Sequence, residues 1–188
     1  MHLNPYGADA VLLAAALYRS RPATPADLES TCREFDVVID REATKADVHL
    51  VHAVIDRWTA VVDAASDQDR ADRLNALLSE YAAHPRLTDH AGTGWHVHYR
   101  DPHLRLGRVV AALVSVGTAL HLAGRGMHRL GRCAAAGCDG VVVDVSRNGR
   151  QRYCSPACGN RDAVRRHRAR AGSTGIRAGS GPRALRSA

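Results

Sequence analysis

Residues 133–161 read CAAAGCDGVVVDVSRNGRQRYCSPACGNR and hold four of the five cysteines of this chain. Four residues separate Cys133 from Cys138, and three separate Cys154 from Cys158. Two close cysteine pairs joined by a spacer of hairpin length can bring four thiolates to the corners of a tetrahedron, which is the geometry of closed structural zinc sites. The spacing therefore predicts a Zn²⁺ site with Cys133, Cys138, Cys154 and Cys158 as its ligands.

The alternative for these cysteines is redox chemistry or a set of unpaired thiols. The N-terminus resembles no signal peptide, because the apolar run at residues 10–17 is short and no charged segment precedes it. No run of roughly 18 apolar residues predicts a membrane span. We therefore expect a cytoplasmic protein without a membrane partner, and in that compartment paired cysteines more often bind metal than form disulfides. The fifth cysteine, Cys32, is expected to be a small buried hydrophobe.

The segment between the two cysteine pairs predicts a β-hairpin. Residues 141–145 are typical of a strand, Asn148-Gly149 is a strong turn signal, and residues 151–153 are the expected return strand. Ser155-Pro156 then pairs an N-cap with a proline at the first helical position, which predicts a helix to about residue 171.

The rest of the chain predicts a mainly α fold. Capping residues and apolar positions at helical spacing indicate helices near residues 8–20, 25–35, 45–62, 66–84 and 103–123. The expected organisation is a helical domain at 1–128 with a small β-hairpin, a zinc-bound β-hairpin plus helix at 129–171, and a flexible tail at 172–188.

At residues 95–100 the spacing of the apolar residues changes from helical to alternating, which predicts a strand. We expect this strand to pair with residues 86–89 through a turn at 92–94. We expect Trp95, Val97 and Tyr99 on the core face. His96 and His98 would then lie on a solvated face, or would chelate a metal or small anion. Trp95, His96 and His98 are accordingly a candidate ligand pocket.

The positive charge of the chain is concentrated in its C-terminal part. Residues 1–128 carry 13 Lys+Arg and 16 Asp+Glu, a net charge of −3, whereas residues 129–188 carry 13 Arg and 3 Asp, a net of +10. Such asymmetry indicates a polyanionic partner, with nucleic acid as the leading candidate. The candidate contacts are the arginines of the hairpin and the final helix, namely Arg147, Arg150, Arg152, Arg161, Arg165, Arg166, Arg168 and Arg170.

The cysteine segment resembles the CGNR zinc finger, which is named for its last cysteine and the three residues that follow, here Cys158-Gly159-Asn160-Arg161. The segments Arg150–Ser155 and Ala163–Arg166 also resemble that finger. The N-terminal part, with Asn4-Pro5-Tyr6 and the Trp95-His96 segment before a long helix, is similar to the ABATE domain of bacterial proteins described as stress-induced transcription regulators. The resemblance implies that the four cysteines bind zinc and that the chain regulates transcription.

The expected function is transcription regulation by a zinc-held, arginine-rich helix that contacts double-stranded DNA. One alternative is a protein that binds a small-molecule effector or a protein partner and uses zinc only structurally; another is RNA binding. An enzyme is not expected, because four cysteine ligands leave no open metal position and no catalytic constellation is evident.

Overall fold

The computed structural model describes residues 6–89 and 94–174. Helices dominate, which confirms the mainly α fold class. The elements are α1 (Tyr6–Ser20), α2 (Pro25–Arg33), α3 (Lys45–Val62), α4 (Asp67–Tyr81), β1 (Arg86–Thr88), β2 (His96–His98), α5 (Leu106–Arg125), β3 (Leu130–Arg132), β4 (Val141–Val143) and α6 (Pro156–Thr174).

Side-chain caps set where several helices begin. The Thr24 hydroxyl accepts a hydrogen bond from the backbone amide of Asp27 at the start of α2, and Ser66 does the same for Asp69 at the start of α4. Asp47 closes the first turn of α3 by accepting from the amide of Thr44, and its other oxygen accepts from the amide of Gly107. One carboxylate therefore joins the starts of α3 and α5. Helix α5 begins at Leu106, three residues later than the sequence pattern predicts.

Helix α5 is the centre of the core and packs against α1, α3 and α4. The indole N–H of the fully buried Trp58 donates to the hydroxyl of Thr118 across the α3–α5 contact, at 2.9 Å. At the α1–α5 contact, a Cβ on Gly117 would lie 2.3 Å from the Cβ of Ala10. Glycine is required there because the two helices approach so closely.

The sequence expectation that no segment could span a membrane is wrong as a statement about length and composition. Helix α5 is long and apolar enough to cross one, with a mean hydropathy of 1.6 over its most apolar window. In the fold, however, 67% of that window is buried inside the protein. Its apolar character is explained by its position as the central helix of the core.

Strands β1 and β2 form the predicted antiparallel pair, and in its register Leu87 lies opposite Val97. The predicted assignment of faces is wrong for Trp95 and Val97, which are 73% and 47% exposed. Tyr99 is half-buried, as are His96 and His98. A two-stranded ribbon leaves one face uncovered, and here that face carries the apolar side chains. The predicted turn at 92–94 lies mostly outside the described residues.

In the C-terminal part, β4 pairs antiparallel with β3, and Gly131 lies opposite Val142. The predicted strand at 141–145 is confirmed over 141–143, but its partner precedes the first cysteine, and residues 151–153 form no strand. The reason is Asp144, whose carboxylate accepts from the backbone amides of Ser146 and Gln151. A side chain therefore satisfies amides that a return strand would have paired.

The segment 129–171, which we call the zinc module, packs directly on the helices. Leu130, Val141 and Val143 belong to the same buried cluster as the helical core. Arg132 also forms a bidentate ion pair with Asp63, the C-cap residue of α3, and both N–O distances are 2.6 Å. The domain boundary between residues 128 and 129 remains a prediction. Helix α6 extends to Thr174, three residues into the predicted tail, and residues 175–188 lie outside the described part.

Candidate metal centre and nucleic-acid interface

Two structural units bring the four cysteines together. Cys133 directly follows β3, and Cys138 lies in the loop that leads to β4. Cys154 precedes α6, and Cys158 lies in its first turn. The β3–β4 hairpin therefore supplies one pair and the helix start supplies the other. The four Sγ atoms all lie within 4.8 Å of one another.

The spacing of the sulfur atoms fits a tetrahedral zinc site. The Sγ–Sγ distances among Cys138, Cys154 and Cys158 are all 3.6 Å. A Zn–S bond of about 2.3 Å places ligands at tetrahedral corners about 3.8 Å apart. A disulfide would require about 2.0 Å, so the cysteines are free thiols. The predicted ligand set is therefore assembled, and zinc is the metal that this all-sulfur site takes.

Glycines and backbone amides shape the site. The amide of Gly140 donates to the Cys138 sulfur, and the amide of Cys154 donates to the Cys133 sulfur, both at 3.4 Å. A Cβ on Gly140 would lie 2.6 Å from the Cys154 sulfur, so no other residue fits there without moving a ligand. Gly137 has φ +69°, a left-handed conformation that favours glycine in the loop between the first two cysteines.

The crowded thiols favour a cation between them. Burial raises the pKa of the Cys154 thiol to about 12. The hydrogen bond with Ser155, followed by those with the neighbouring thiols, lowers the pKa of the Cys158 thiol to about 7. Adjacent thiols cannot all become thiolates unless positive charge lies close by. A divalent cation supplies that charge, because the thiolate is the ligand form of cysteine.

The residues that follow Cys158 have different surroundings. Arg161 directs its guanidinium to the Cys158 sulfur, with a nitrogen–sulfur distance of 3.3 Å. Gly159 lies beside the ring of Tyr153, where a Cβ would be 3.4 Å from a ring carbon. Asn160 is exposed. Arg161 is thus placed to support the metal centre.

Asp162 is the charged centre of the first turns of α6. It is 6% exposed, accepts a hydrogen bond from the Tyr153 hydroxyl at 2.8 Å, and forms ion pairs with Arg165 at 2.8 Å and Arg166 at 3.0 Å. These contacts lower the pKa of the Asp162 carboxyl, with the Arg165 hydrogen bond as the largest cause. Sequence reasoning missed this residue, although an acid among many arginines was a usable signal.

The arginines predicted to contact nucleic acid are all exposed at the protein surface. Arg147, Arg150 and Arg152 lie in the loop between β4 and α6, and Arg168 and Arg170 lie in the second half of the helix. Arg165 and Arg166 share Asp162 while their side chains stay 62% and 57% exposed. Their assignment as nucleic-acid contacts remains a prediction.

The second candidate site, at Trp95, His96 and His98, is only partly brought together. The His96 and His98 rings meet edge to face, with their Nε2 atoms 3.0 Å apart, and Nδ1 of His96 lies 2.7 Å from the carbonyl of Gly94. Trp95 is exposed. The groove beside His98 and α5 measures about 80 Å³. That volume is small beside the roughly 300–1,000 Å³ of ordinary ligand pockets.

The fold and the site define a zinc-finger protein in which a helical domain packs against the finger. Comparison with known families agrees. The CGNR zinc finger model matches residues 129–171, and the ABATE family, described as "Putative stress-induced transcription regulator", matches residues 10–137. The chain belongs to the ABATE family and carries a C-terminal, zinc-binding CGNR finger. No curated protein matches the chain.

Proposed function

We propose that this protein regulates transcription by binding double-stranded DNA through α6 and the loop at residues 147–152. The observation that carries the proposal is a strongly basic module that zinc holds together. Within residues 129–171 there are ten arginines and three aspartates, a net charge of +7. A helix diameter of roughly 10–12 Å also suits the DNA major groove.

The charge contrast within the chain supports one binding face. Residues 1–128 carry a net charge of −3, so the helical domain would be repelled by phosphates while the zinc module is attracted. Duplex DNA carries one negative charge for about every 1.7 Å of its axis, and its affinity for such a surface comes mainly from counterion release. We therefore expect binding that weakens steeply as salt is added.

The arginines of α6 have distinct expected roles. Arg165 and Arg168 are three residues apart and share one face of the helix. The ion pair of Arg165 with Asp162 is partly exposed, and exposed pairs of this kind contribute little, so a phosphate can replace it. Arg168 reaches solvent in the next turn. Arg161, in contrast, is committed to the Cys158 sulfur and is expected to act through the metal centre.

The chain's own residues fix the helix on the hairpin. Zinc supplies the cross-link between the two cysteine pairs, and Tyr153, Asp162 and Gly140 set the packing around it. We propose a structural metal and no catalysis, since four sulfur ligands leave no open coordination position. We also propose that the protein works in the cytoplasm, where the four cysteines stay reduced.

The test compares two charge-reversed pairs in the zinc-loaded, full-length protein. Arg165→Glu with Arg168→Glu changes α6, and Arg41→Glu with Arg86→Glu makes the same charge change on exposed residues of the helical part. Fluorescence anisotropy with a labelled duplex at several salt concentrations gives the affinity and its salt slope. We expect the α6 pair to lose about 100-fold in affinity and about two units of slope.

The control pair should bind within a few fold of the parent protein. Equal losses for both pairs would show only a general charge effect, and no loss for the α6 pair would refute the proposal. A single-stranded RNA competitor separates the two nucleic acids, because preferential binding of the RNA would replace DNA as the partner.

A further inference from the structure

One buried carboxylate joins the two ends of the loop after β4, at residues 144–151. Asp144 is 3% exposed, and its Oδ1 atom accepts hydrogen bonds from the backbone amide of Ser146, at 2.9 Å, and from the hydroxyl of the same residue. Its Oδ2 atom accepts from the backbone amide of Gln151 at 3.0 Å. The segment between these two amides carries two of the arginines that are proposed to contact DNA.

A nearly buried arginine balances the charge of this carboxylate. The side chain of Arg129, in the turn after α5, is 12% exposed, and its Nη1 atom lies 3.5 Å from Oδ1 of Asp144. The same nitrogen donates to the carbonyl of Ser146 at 2.7 Å. Burial alone would raise the pKa of the Asp144 carboxyl, but the hydrogen bonds that it accepts and the charge of Arg129 lower it. The group is therefore ionised at neutral pH and attracts the amides and the guanidinium around it.

The last turn of α5 also contacts the loop. Arg125, the final residue of α5, donates from Nη1 to the carbonyl of Val145 at 3.0 Å. Its own carbonyl accepts from Nε of Arg129 at 3.2 Å. In the turn of the loop, Gly149 has φ +67°, and a Cβ there would lie 2.7 Å from Cζ of Arg129. The turn therefore lies directly against the guanidinium, which favours glycine at this position.

The outward side of the loop carries positive charge. Arg147 and Arg150 are exposed, and neither forms an ion pair with any residue in 6–89 or 94–174. A buried polar network whose members are all hydrogen-bonded is rigid. A loop that is ordered before it binds also loses less conformational entropy when it meets its ligand. The internal contacts therefore hold two guanidiniums at fixed positions on the surface.

We infer that Arg125, Arg129 and Asp144 are positioning residues for DNA binding, which hold the loop so that Arg147 and Arg150 meet backbone phosphates without further ordering. The inference rests on the proposed function and deepens it, because it names residues that act on the DNA only through the loop. Through the last residue of α5, the helical domain contributes to an affinity that its own net charge opposes.

Asp144→Asn separates positioning from a simple effect of charge. The change adds one positive charge to the zinc module, so charge alone predicts equal or tighter binding of duplex DNA. Loss of positioning predicts about tenfold weaker binding and a salt slope smaller by about one unit. Asp139→Asn makes the same change of charge at an exposed aspartate of the module and should bind at least as tightly as the parent protein. Fluorescence anisotropy on the zinc-loaded, full-length proteins gives both quantities.

Gly149→Ala tests the same loop without a change of charge. Its Cβ would meet the Arg129 guanidinium, so we expect DNA binding to weaken by about tenfold, whereas Gly131→Ala meets no atom within 4 Å and should bind normally. Amide hydrogen exchange, followed by nuclear magnetic resonance without DNA, reports on the loop itself. The two amides that bind the Asp144 carboxylate should exchange slowly in the parent protein and rapidly in Asp144→Asn.

Three outcomes would overturn the inference while the parent protein still binds DNA. These are unchanged or tighter binding in Asp144→Asn, slow exchange of both amides in that variant, and normal binding in Gly149→Ala. Zinc content and far-UV circular dichroism show whether each variant is folded, and Gly149→Ala decides the question if Asp144→Asn does not fold. A parent protein that binds no duplex would instead overturn the proposed function, and this inference with it.

Discussion

The helical domain and the zinc module differ in what holds them together. Among the described residues, the twelve largest side chains that are completely buried all lie in the helices. The zinc module's own core cluster consists of Cys133, Ala135, Val142 and Cys158, and two of these are zinc ligands. The zinc module therefore depends on its metal and on the surface of the helices, whereas the helices depend on apolar burial.

Removing a zinc ligand should have the largest effect, because it should unfold the zinc module and leave the helical domain folded. In Cys158→Ser the site loses one of its four thiolates. A structural zinc contributes an apparent free energy of about 10–16 kcal/mol to the folding of a module of this kind. We expect loss of the single bound zinc and rapid proteolysis within residues 133–171, while the helical domain stays folded. Metal analysis and limited proteolysis measure both effects.

Cys32→Ala is the matched control for that experiment. Cys32 is completely buried in the helical core and lies outside the group of four cysteines whose sulfur atoms converge. This variant should keep one zinc per chain and lose only about 1 kcal/mol of stability. Zinc loss in the control as well would mean that the two regions are not separately held.

Truncating the central tryptophan should destabilise the helical domain. Trp58→Ala removes a completely buried ring and its hydrogen bond to Thr118, so the free energy of unfolding should fall by about 3–5 kcal/mol. Urea denaturation measures the change. Trp95→Ala, at an exposed tryptophan, should stay within about 0.5 kcal/mol of the parent protein. Similar losses at both positions would contradict the location of the core.

Gly140 and Gly131 form a matched pair of positions near the metal site, one crowded and one open. In Gly140→Ala the new Cβ would lie 2.6 Å from the Cys154 sulfur and would push that ligand. We expect zinc affinity to fall by about 10–100-fold, as for other changes just outside a ligand shell. Gly131→Ala meets no atom within 4 Å and should bind zinc normally. Competition with a chromogenic chelator gives both affinities, and equal values would refute the crowding at Gly140.

The smallest effect is expected at the junction between the two regions. The Arg132–Asp63 pair is partly exposed, so a double-mutant cycle with Arg132→Met and Asp63→Asn should give a coupling of about 0.5–1 kcal/mol. Arg132 lowers the pKa of the Asp63 carboxyl below its unfolded value of about 3.9. The coupling is therefore present above pH 4 and lost as the pH falls through that lowered pKa. Coupling that persists in acid would contradict the ion pair.

Local signals in the sequence predicted much of the architecture. The Thr24 and Ser66 caps and the Ser155-Pro156 step placed the starts of three helices to within a residue. The cysteine spacing predicted the ligand set because each pair needs only a short loop to converge on a metal. Helix caps and metal-ligand pairs are formed by residues that are close together in the chain, so they can be predicted from the sequence alone.

Contacts between distant residues were not predictable in the same way. The pairing of β4 with β3 and the Arg132–Asp63 ion pair across 69 residues depend on how elements pack after they form. The exposed face of Trp95 is a further example. Alternation gave the two faces of that strand, but only the packing of the ribbon decided which face met the core.

The most direct test of the central claim is the affinity of the full-length protein for duplex DNA with and without its zinc. We expect the logarithm of the binding constant to fall linearly with the logarithm of the salt concentration. Most of the binding should be lost when zinc is removed, because α6 is then no longer fixed on the hairpin. Restoring zinc should restore the affinity. Equal affinity of the zinc-loaded and zinc-free protein would contradict the claim that the metal organises the binding surface.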